Sequence, residues 1–571
     1  MKRTSSVIML GLWVCCTGLW FGPKVFAQNV PPSQDIGAQA QQLQKKVEQI
    51  QKTVESKKAA LEKASEEENL RKRQVIFMLK KMAVRGSSIF TEKELAGVYG
   101  PYLNKYVNFN DINNIITGIK GLYQQKGYLT TVVYFPQQEI KDGAVEIFII
   151  EGKMGQLGVE GNRYFSTKFL ARNIHLPHGT ILNMNQLNRD LLWINKNGDL
   201  QAVSVIGPGK EPGTTDVIVK VQDKRTWHVG TSFDNNGSRI LGKYRGGSYV
   251  RSTNATGHGD SLFINTLMNS RLLGQSVSYR TPVGTRGTQV GIDYSHFTMK
   301  LGKEFKSYDI TGTTNQGSVE ISQELYLAEN MELSAAGGLS VKSITKHVLG
   351  QRVSDDQLRI PYMSMAWSES DAWGNTSVTP RLDFGTGGFL GASTRNHPSA
   401  SRAGTGGFYV KYSQEISRTQ KMLWDSYIRL SSQFSAASHT LPSSEQFQIG
   451  GEDSVRGYPE GDYSADVGGT FSVEWNFPMY LFPKQWKLPK DEVSLRNRIM
   501  PYVFMDAGVG SLKKVLPGER QQKSLMSLGG GFRARLYKSI FFNADWGVPV
   551  SDDPAAGSGP STFHFSLQME M

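Results

Sequence analysis

The stretch Thr562-Phe563-His564-Phe565-Ser566-Leu567-Gln568-Met569-Glu570-Met571 alternates without a break. Phe563, Phe565, Leu567, Met569 and Met571 form one face, and Thr562, His564, Ser566, Gln568 and Glu570 the other. Successive side chains on a strand point to opposite faces, so this reads as a strand with one apolar and one polar side. A transmembrane barrel needs that pattern, with lipid outside and a wet lumen inside. Closing the sheet also leaves no backbone polar group unpaired in hydrocarbon. A soluble sandwich or a passenger β-helix would alternate too, but explains less well why the pattern runs to Met571.

The pattern recurs upstream. Val290, Ile292 and Tyr294 alternate with Gly291, Asp293 and Ser295; Phe471, Val473, Trp475 and Phe477 alternate with Ser472, Glu474 and Asn476. Ile540, Phe542, Ala544 and Trp546 alternate with Ser539, Asn543 and Asp545, with Phe541 as the exception. Helical periodicity is lost from about Arg225 onward. The roughly 347 residues of 225–571, at about 10 per strand plus turns, allow about 16 strands. Trp227, Trp367, Trp373, Trp424, Trp475, Trp486 and Trp546 fall in this region, where they suit belts at the two membrane interfaces. Composition points the same way. With 39% hydrophobic and 20% charged residues, the chain is too polar for a bundle of apolar helices of about 20 residues. At 10% aromatic it is too aromatic for a disordered chain. Glycine, at 60 of 571 residues, exceeds the usual share of roughly 7%.

Residues 1–27 read as a secretory signal peptide: Lys2 and Arg3, an apolar run from Val7 to Phe21, then Val25-Phe26-Ala27 as the cleavage site. Both cysteines, Cys15 and Cys16, lie inside it. The exported chain would therefore have neither a disulfide scaffold nor a thiolate metal site. The net charge of +13, three of it from Lys2, Arg3 and Lys24, is spread along the chain. No basic block exceeds Arg71-Lys72-Arg73, so nucleic acid is not an expected partner. Within 28–74, Ile36, Ala40, Leu43, Val47, Ile50, Val54, Lys57, Leu61 and Ala64 follow coiled-coil spacing. A solvated linker helix, an oligomerising coil and a plug in a pore all remain open for it.

Two α+β modules follow. In 75–153, Ile76 to Leu79 and Met82 to Val84 read as a strand ending at Gly86, and Thr91 with Glu94 as a capping box. Asn110-Asp111 opens a second helix with Ile112, Ile115, Ile116, Ile119, Leu122 and Tyr123 on one face, stopping at Gly127. Thr131–Phe135 and Val145–Glu151 are the closing strands. Residues 154–224 repeat that order: a strand at Leu157-Gly158-Val159, helices at Thr167–Ile174 and Asn185–Asn195, and strands at Val203–Ile206 and Val217–Val221. The expected fold is mainly β: a C-terminal transmembrane antiparallel barrel of about 16 strands behind two small α+β modules and an N-terminal helix.

No catalytic signature appears. Gly209-Lys210 lacks the rest of a phosphate loop, and no H-E-x-x-H or G-x-S-x-G occurs. His175 and His178 flank Pro177 with no neighbouring carboxylate or cysteine, so they read as a loop pair and not as metal ligands. No enzyme, cofactor or metal is expected. One cluster stands apart. Glycine-rich Phe447 to Gly451 leads into Val455-Arg456-Gly457-Tyr458. Downstream, Phe504-Met505-Asp506-Ala507-Gly508 lies in a strand. Val503, Met505 and Ala507 share one face and Tyr502, Phe504 and Asp506 the other, so Asp506 faces the lumen if the apolar face meets lipid. An arginine on an infolded loop could supply its bidentate partner.

These pieces in order resemble the outer-membrane transporters of two-partner secretion, the TpsB family. Gly127 to Thr131, Pro136 to Gln138 and Ile150 to Lys153 are similar to its first POTRA (polypeptide-transport-associated) module. Leu187 to Leu192, Pro208-Gly209 and Gly213 to Asp216 resemble the second, and Asp234 to Ser238 with Gly242 the start of the barrel. Val455-Arg456-Gly457-Tyr458 matches the family's VRGY loop motif, and Phe504, Asp506 and Gly508 its F-x-D-x-G strand motif. The resemblance implies a 16-stranded outer-membrane barrel with two periplasmic POTRA modules, an N-terminal plug helix and an Arg456–Asp506 pair holding the loop inside. Its partners would be a large unfolded exoprotein, outer-membrane lipid and the barrel-assembly machinery for its own insertion. Met571 stands where the family's insertion signal usually ends in Phe. The alternative function is assembly of other outer-membrane barrels, whose factors usually carry more POTRA modules; an adhesive surface protein and a barrel enzyme are further alternatives.

Overall fold

The computed structural model describes residues 76–489, 492–537, 539–551 and 561–571. The expected signal peptide and the segment 28–74, with its helix and seam, lie outside the described residues. Two units result, one ending at Lys224 and one running from Arg225 to Met571.

The first module holds β1 (Phe77–Leu79), β2 (Lys81–Arg85), α1 (Glu92–Tyr99), β3 (Lys105–Val107), α2 (Phe109–Gln125), β4 (Val132–Tyr134) and β5 (Ala144–Ile150). The single strand expected at 76–84 is two strands. The N–H groups of Lys80 and Lys81 both donate to Gly143 O, at 2.9 and 3.2 Å, and this breaks the chain direction at Lys80. Before the break β1 pairs with β3, and after it β2 runs parallel to β5 in a sheet of order β2-β5-β4. β3 had no sequence signal, because three residues are too few to show a period. Thr91 and Glu94 form the capping box of α1. α2 starts before Asn110: Asn108 is its cap, and Asp111 accepts from the Asn108 N–H at 2.9 Å. Ile112, Ile115, Ile119 and Tyr123 then bury against Val145, Ile147 and Ile149 of β5.

The second module holds β6 (Lys153–Glu160), α3 (Thr167–Arg172), α4 (Met184–Asn195), β7 (Leu200–Pro208) and β8 (Thr214–Asp223), in a sheet of order β6-β8-β7. Leu187, Leu191 and Ile194 of α4 pack over Val217, Val219 and Val221 of β8. The modules meet through their helix ends. Met184 N–H donates to Gly127 O at 2.9 Å and the Asn183 side-chain amide to Lys126 O at 3.3 Å. Carbonyls left without partners at the end of α2 are thus satisfied by the start of α4.

The second unit is a closed antiparallel barrel of 16 strands. Its strands are β9 (Trp227–Asp234), β10 (Arg245–Ser252), β11 (Ser261–Met268), β12 (Leu272–Pro282), β13 (Thr288–Lys300) and β14 (Thr311–Leu327). Then come β15 (Met331–Val348), β16 (Gln351–Asp371), β17 (Gly374–Gly385), β18 (Tyr409–Lys421) and β19 (Tyr427–Ala437). The connection to β22 carries a two-strand hairpin, β20 (Phe447–Ile449) and β21 (Tyr463–Ala465). The remaining strands are β22 (Val467–Asn476), β23 (Ile499–Ser511), β24 (Gln522–Leu536), β25 (Ile540–Pro549) and β26 (Thr562–Glu570), with a short helix α5 (Leu495–Arg498) before β23. Alternation decides the faces: Ile292, Tyr294, Trp546 and Phe563 point outward, while Asp293 meets Ser318 Oγ inside at 3.1 Å. β26 closes onto β9 from Ser566↔Asp234 to Glu570↔Gly230, and Met571 extends the seam by exchanging backbone hydrogen bonds with Val229. Asn235 adds two more, to Phe563 O and from Phe565 N–H.

In the first module Glu151 accepts from Tyr123 Oη at 2.7 Å and from the N–H groups of Ser88 and Ile89 at 2.8 and 3.0 Å. Burial pushes its carboxyl up, but the hydrogen bonds from Ser88, Tyr123 and Ile89 outweigh it and hold the group below its ordinary value of 4.5. Burial, and after it the hydrogen bond to Glu151, raise the Tyr123 phenol. A lowered carboxyl stabilises the folded module above its ordinary pKa, and that contribution is lost as pH falls through the lowered value. Amide hydrogen exchange of residues 76–152 should therefore show protection falling in acid. Glu151→Gln should lower protection at neutral pH and flatten the acid step; an unchanged acid profile in the variant contradicts this.

Candidate functional site

The β19–β22 connection, residues 438–466, folds back into the barrel. Phe447, Ile449, Val455 and Tyr458 are buried together with Leu525 of β24. Gly457 has φ +93°, a left-handed backbone that disfavours any side chain, and a Cβ there would lie 2.9 Å from Gly547 C. Tyr458 Oη donates to a backbone carbonyl, with Met526 O at 3.1 Å and Ser551 O at 2.9 Å, while Thr562 Oγ1 donates to Gly457 O at 2.9 Å. The loop thus rests on β24, β25 and β26.

Arg456 is held by the strands around it through both its backbone and its side chain. Its Nε donates to Asp506 Oδ2 at 2.8 Å, its Nη2 to Asp506 Oδ1 at 2.9 Å and its backbone N–H to Asp506 Oδ2 at 3.1 Å. Parity puts Asp506 on the inner face of β23, beside Tyr502 and Phe504, and the guanidinium lies 3.5 Å from the centroid of the Phe504 ring. Arg456 is 7% exposed and Asp506 1%, so the pair is dry and not solvated in an open lumen. Gly508 leaves room for the loop: a Cβ there would come within 2.8 Å of Val455 Cγ2.

Two further groups belong to the site and carried no motif signal. Glu474, from the polar face of β22, accepts from Arg456 Nη1 at 3.0 Å and is forked by Arg533 of β24, whose Nη2 is 2.9 Å away. Ser472, on the same face, donates to Asp506 Oδ1 at 2.6 Å. Their side of β22 was legible from alternation, but their partners depend on which residues the barrel's register sets opposite each other. The chain Asp506–Arg456–Glu474–Arg533 alternates in sign, so each buried charge has an opposite neighbour.

A second charged anchor lies near the start of the loop. Glu445 is buried and accepts from Lys342 Nζ of β15 at 2.6 Å and from Lys411 Nζ of β18 at 2.7 Å. Lys411 also lies 3.7 Å from Asp383 of β17, which pairs with Arg381. At the loop's far end Asp466 accepts from the N–H groups of Leu441 and Lys513, both at 2.9 Å. In the second module His175 acquires a carboxylate after all: α4 brings Asp190 to 2.9 Å from its Nδ1. Among the described residues no group of three or more His, Cys, Asp or Glu is placed to hold a metal.

Removing one side of a dry ion pair leaves the other charge stranded, at about 3–5 kcal/mol. Glu445→Gln leaves Lys342 and Lys411 facing a neutral amide. It should raise single-channel conductance and protease access to the 438–466 loop, and closed channels with a protected loop would refute the anchor. Gly508→Val should do the same by steric exclusion of Val455, with the barrel still resistant to unfolding in detergent.

Comparison with known proteins accords with this geometry. The profile of the family described as haemolysin secretion/activation protein ShlB/FhaC/HecB matches residues 213–534, and that of the ShlB-type POTRA domain matches 77–152. The heme/hemopexin transporter protein HuxB of Haemophilus influenzae is 24% identical over 476 residues, covering 81% of each chain. The outer membrane transporter CdiB of Dickeya dadantii is 24% identical over 433 residues, covering 72% of this chain and 73% of its own. The structure of CdiB from Escherichia coli superposes with a TM-score of 0.70 at 17% identity, over 87% of this chain and 91% of that one. The barrel lies in the outer membrane with the POTRA modules in the periplasm, and the protein is a translocator of two-partner secretion. The chain belongs to the haemolysin secretion/activation family of ShlB, FhaC and HecB.

Proposed function

We propose that this transporter takes up one large unfolded exoprotein on the free edge of β7 and passes it through the barrel when the 438–466 loop yields. The observation that carries the uptake step is the state of that edge. Among the described residues β7 pairs with β8 alone, on one side. The N–H and C=O of Ala202, on its other side, are taken by the Asn195 side chain at 2.6 and 2.9 Å. Backbone groups alternate sides along a strand, so Ser204 and Ile206 present theirs to the same free edge, and Pro208, which has no N–H, ends the run. An extended chain can add there as a strand, gaining backbone hydrogen bonds with little demand on its sequence. Val205 and Ile206 are exposed beside that edge and offer apolar contact for the incoming side chains.

Nothing in the chain resembles a nucleotide site, so direction needs another source. Folding of the exoprotein outside the cell supplies it, because a folded domain does not re-enter the lumen. A passenger that cannot fold should stall in the barrel.

The comparative proteome of culture supernatant and outer membrane, with and without this protein, tests the reading. Loss of one or a few large exported proteins with other barrels unchanged supports it. A general loss of barrel proteins would make the chain an assembly factor instead. For the uptake step, Ile206→Pro removes an edge N–H and should reduce photo-crosslinking of denatured exoprotein at position 204, while Ile206→Ala keeps the N–H and should preserve it. Equal crosslinking in the two variants would remove β7 as the docking edge.

A further inference from the structure

Arg225 leads into β9 from the POTRA side, so the connections β10–β11, β12–β13, β14–β15, β16–β17, β18–β19, β22–β23 and β24–β25 all lie at the periplasmic rim. They are not alike. Residues 253–260, 283–287 and 328–330 are small or polar apart from Val283. Residues 372–373, 422–426 and 477–498 carry Trp373, Met422, Leu423, Trp424, Leu481 and Trp486, all exposed. Trp424 is 77% exposed and Leu481 86%, values unusual for such residues facing water.

These three connections form one surface. Their strands are consecutive in the barrel, from β16 to β23. Lys421 N–H donates to Trp373 O at 2.6 Å, joining the first to the second. Tyr480 Oη donates to Trp424 O, joining the second to the third. The third is pinned to the next connection by Arg498, whose Nη1 reaches Arg535 O at 2.9 Å and Tyr537 O at 3.1 Å.

We propose that this arc is an interfacial anchor that lies in the periplasmic leaflet and binds anionic phospholipid headgroups. Continuity with the lipid-facing wall is the first reason. Trp475 points outward from β22, its Nε1 donates to Ser426 Oγ at 3.3 Å, and its ring packs 6.1 Å from that of Phe477, where the long connection begins. Along β19 and β22 the apolar outer face, through Leu430, Ile428, Val473 and Trp475, therefore runs on into the arc, while along β16 and β18 the Asp371–Arg418 pair intervenes on that face. Charge is the second reason. Lys421, Lys484 and Lys487 are exposed and make no ion pair among the described residues, and Arg496 lies 4.4 Å from the Tyr480 ring centroid. Asp371, beside Trp373, is held by Arg418 at 2.6 Å, and among the described residues of the three connections the acids opposing these cations are Asp425 and Glu492. Tryptophan and leucine under a layer of lysine match an acyl-chain boundary under phosphates. An unfolded polypeptide would be drawn to the apolar residues too, but it gives no reason for their continuity with the membrane wall. The arc covers only part of the rim, so it is distinct from an interface belt that circles the barrel, and it would fix the tilt of the barrel in the bilayer.

The only cysteines are Cys15 and Cys16, at the expected leader, so single-cysteine labelling is direct. Leu481→Cys, Leu423→Cys and, in the polar turn, Glu329→Cys carry an environment-sensitive dye in the full chain. Each is reconstituted in phosphatidylcholine vesicles doped with brominated phosphatidylglycerol, or the reverse, after a gel mobility check that the barrel is folded. Strong quenching at positions 423 and 481 with little at 329 is expected, favouring the brominated anionic lipid. Lys484→Gln and Lys487→Gln should each reduce that preference about fivefold, the ratio equivalent to about 1 kcal/mol per cation. Quenching at 423 and 481 no greater than at 329 overturns the anchor. Quenching with no preference between the lipids overturns headgroup binding. A dye response to denatured exoprotein in place of lipid would make the arc a polypeptide surface.

Discussion

A buried arginine must have its charge met, and the whole lumenal arrangement follows from meeting it. Arg456 sits on a loop inside the barrel, out of water, with the Asp506 carboxylate forked along the Nε–Nη2 edge of its guanidinium and also accepting from its backbone N–H. Glu474 shares the remaining side and is itself neutralised by Arg533. Taking two charges out of water gains little over an apolar contact, whereas separating them is expensive. Such a pair therefore does more to fix position than to raise stability. It ties the 438–466 loop to β22, β23 and β24, and the small residues Gly457 and Gly508 exist where the loop presses against the wall.

The same logic at Glu445 gives the loop a second anchor, on β15 and β18, through Lys342 and Lys411. A chain crossing the lumen must displace a loop held at both sites, or pass beside it. Breaking either anchor strands a buried charge at about 3–5 kcal/mol, so both sites hold the loop in place until its charges are met in another way.

Much of this was legible in the sequence, for physical reasons that also mark the limits. Alternation along a strand has a period of two, so the outward face of β26 and the inward aim of Asp506 could be read directly. The capping box at Thr91 and Glu94 is local chemistry within four residues and was equally readable. The break at Lys80 was not, because it is made by Gly143, a residue distant in sequence. Nor were the partnerships of Glu474 with Arg533 or of Glu445 with Lys342 and Lys411: facing a lumen is a property of one strand, but facing each other is a property of the closed barrel. His175 shows the same limit, since its carboxylate arrives from α4.

The central claim is that Arg456 and Asp506 act as one unit in holding the loop. A double-mutant cycle tests it, with Arg456→Ala, Asp506→Ala and the double variant read by single-channel conductance and by export of the partner exoprotein. Coupled residues are non-additive, so the account predicts that both single variants impair export and disturb the closed channel, and that the double is no worse than either single. Additive defects, or full export with quiet channels in both single variants, would contradict it.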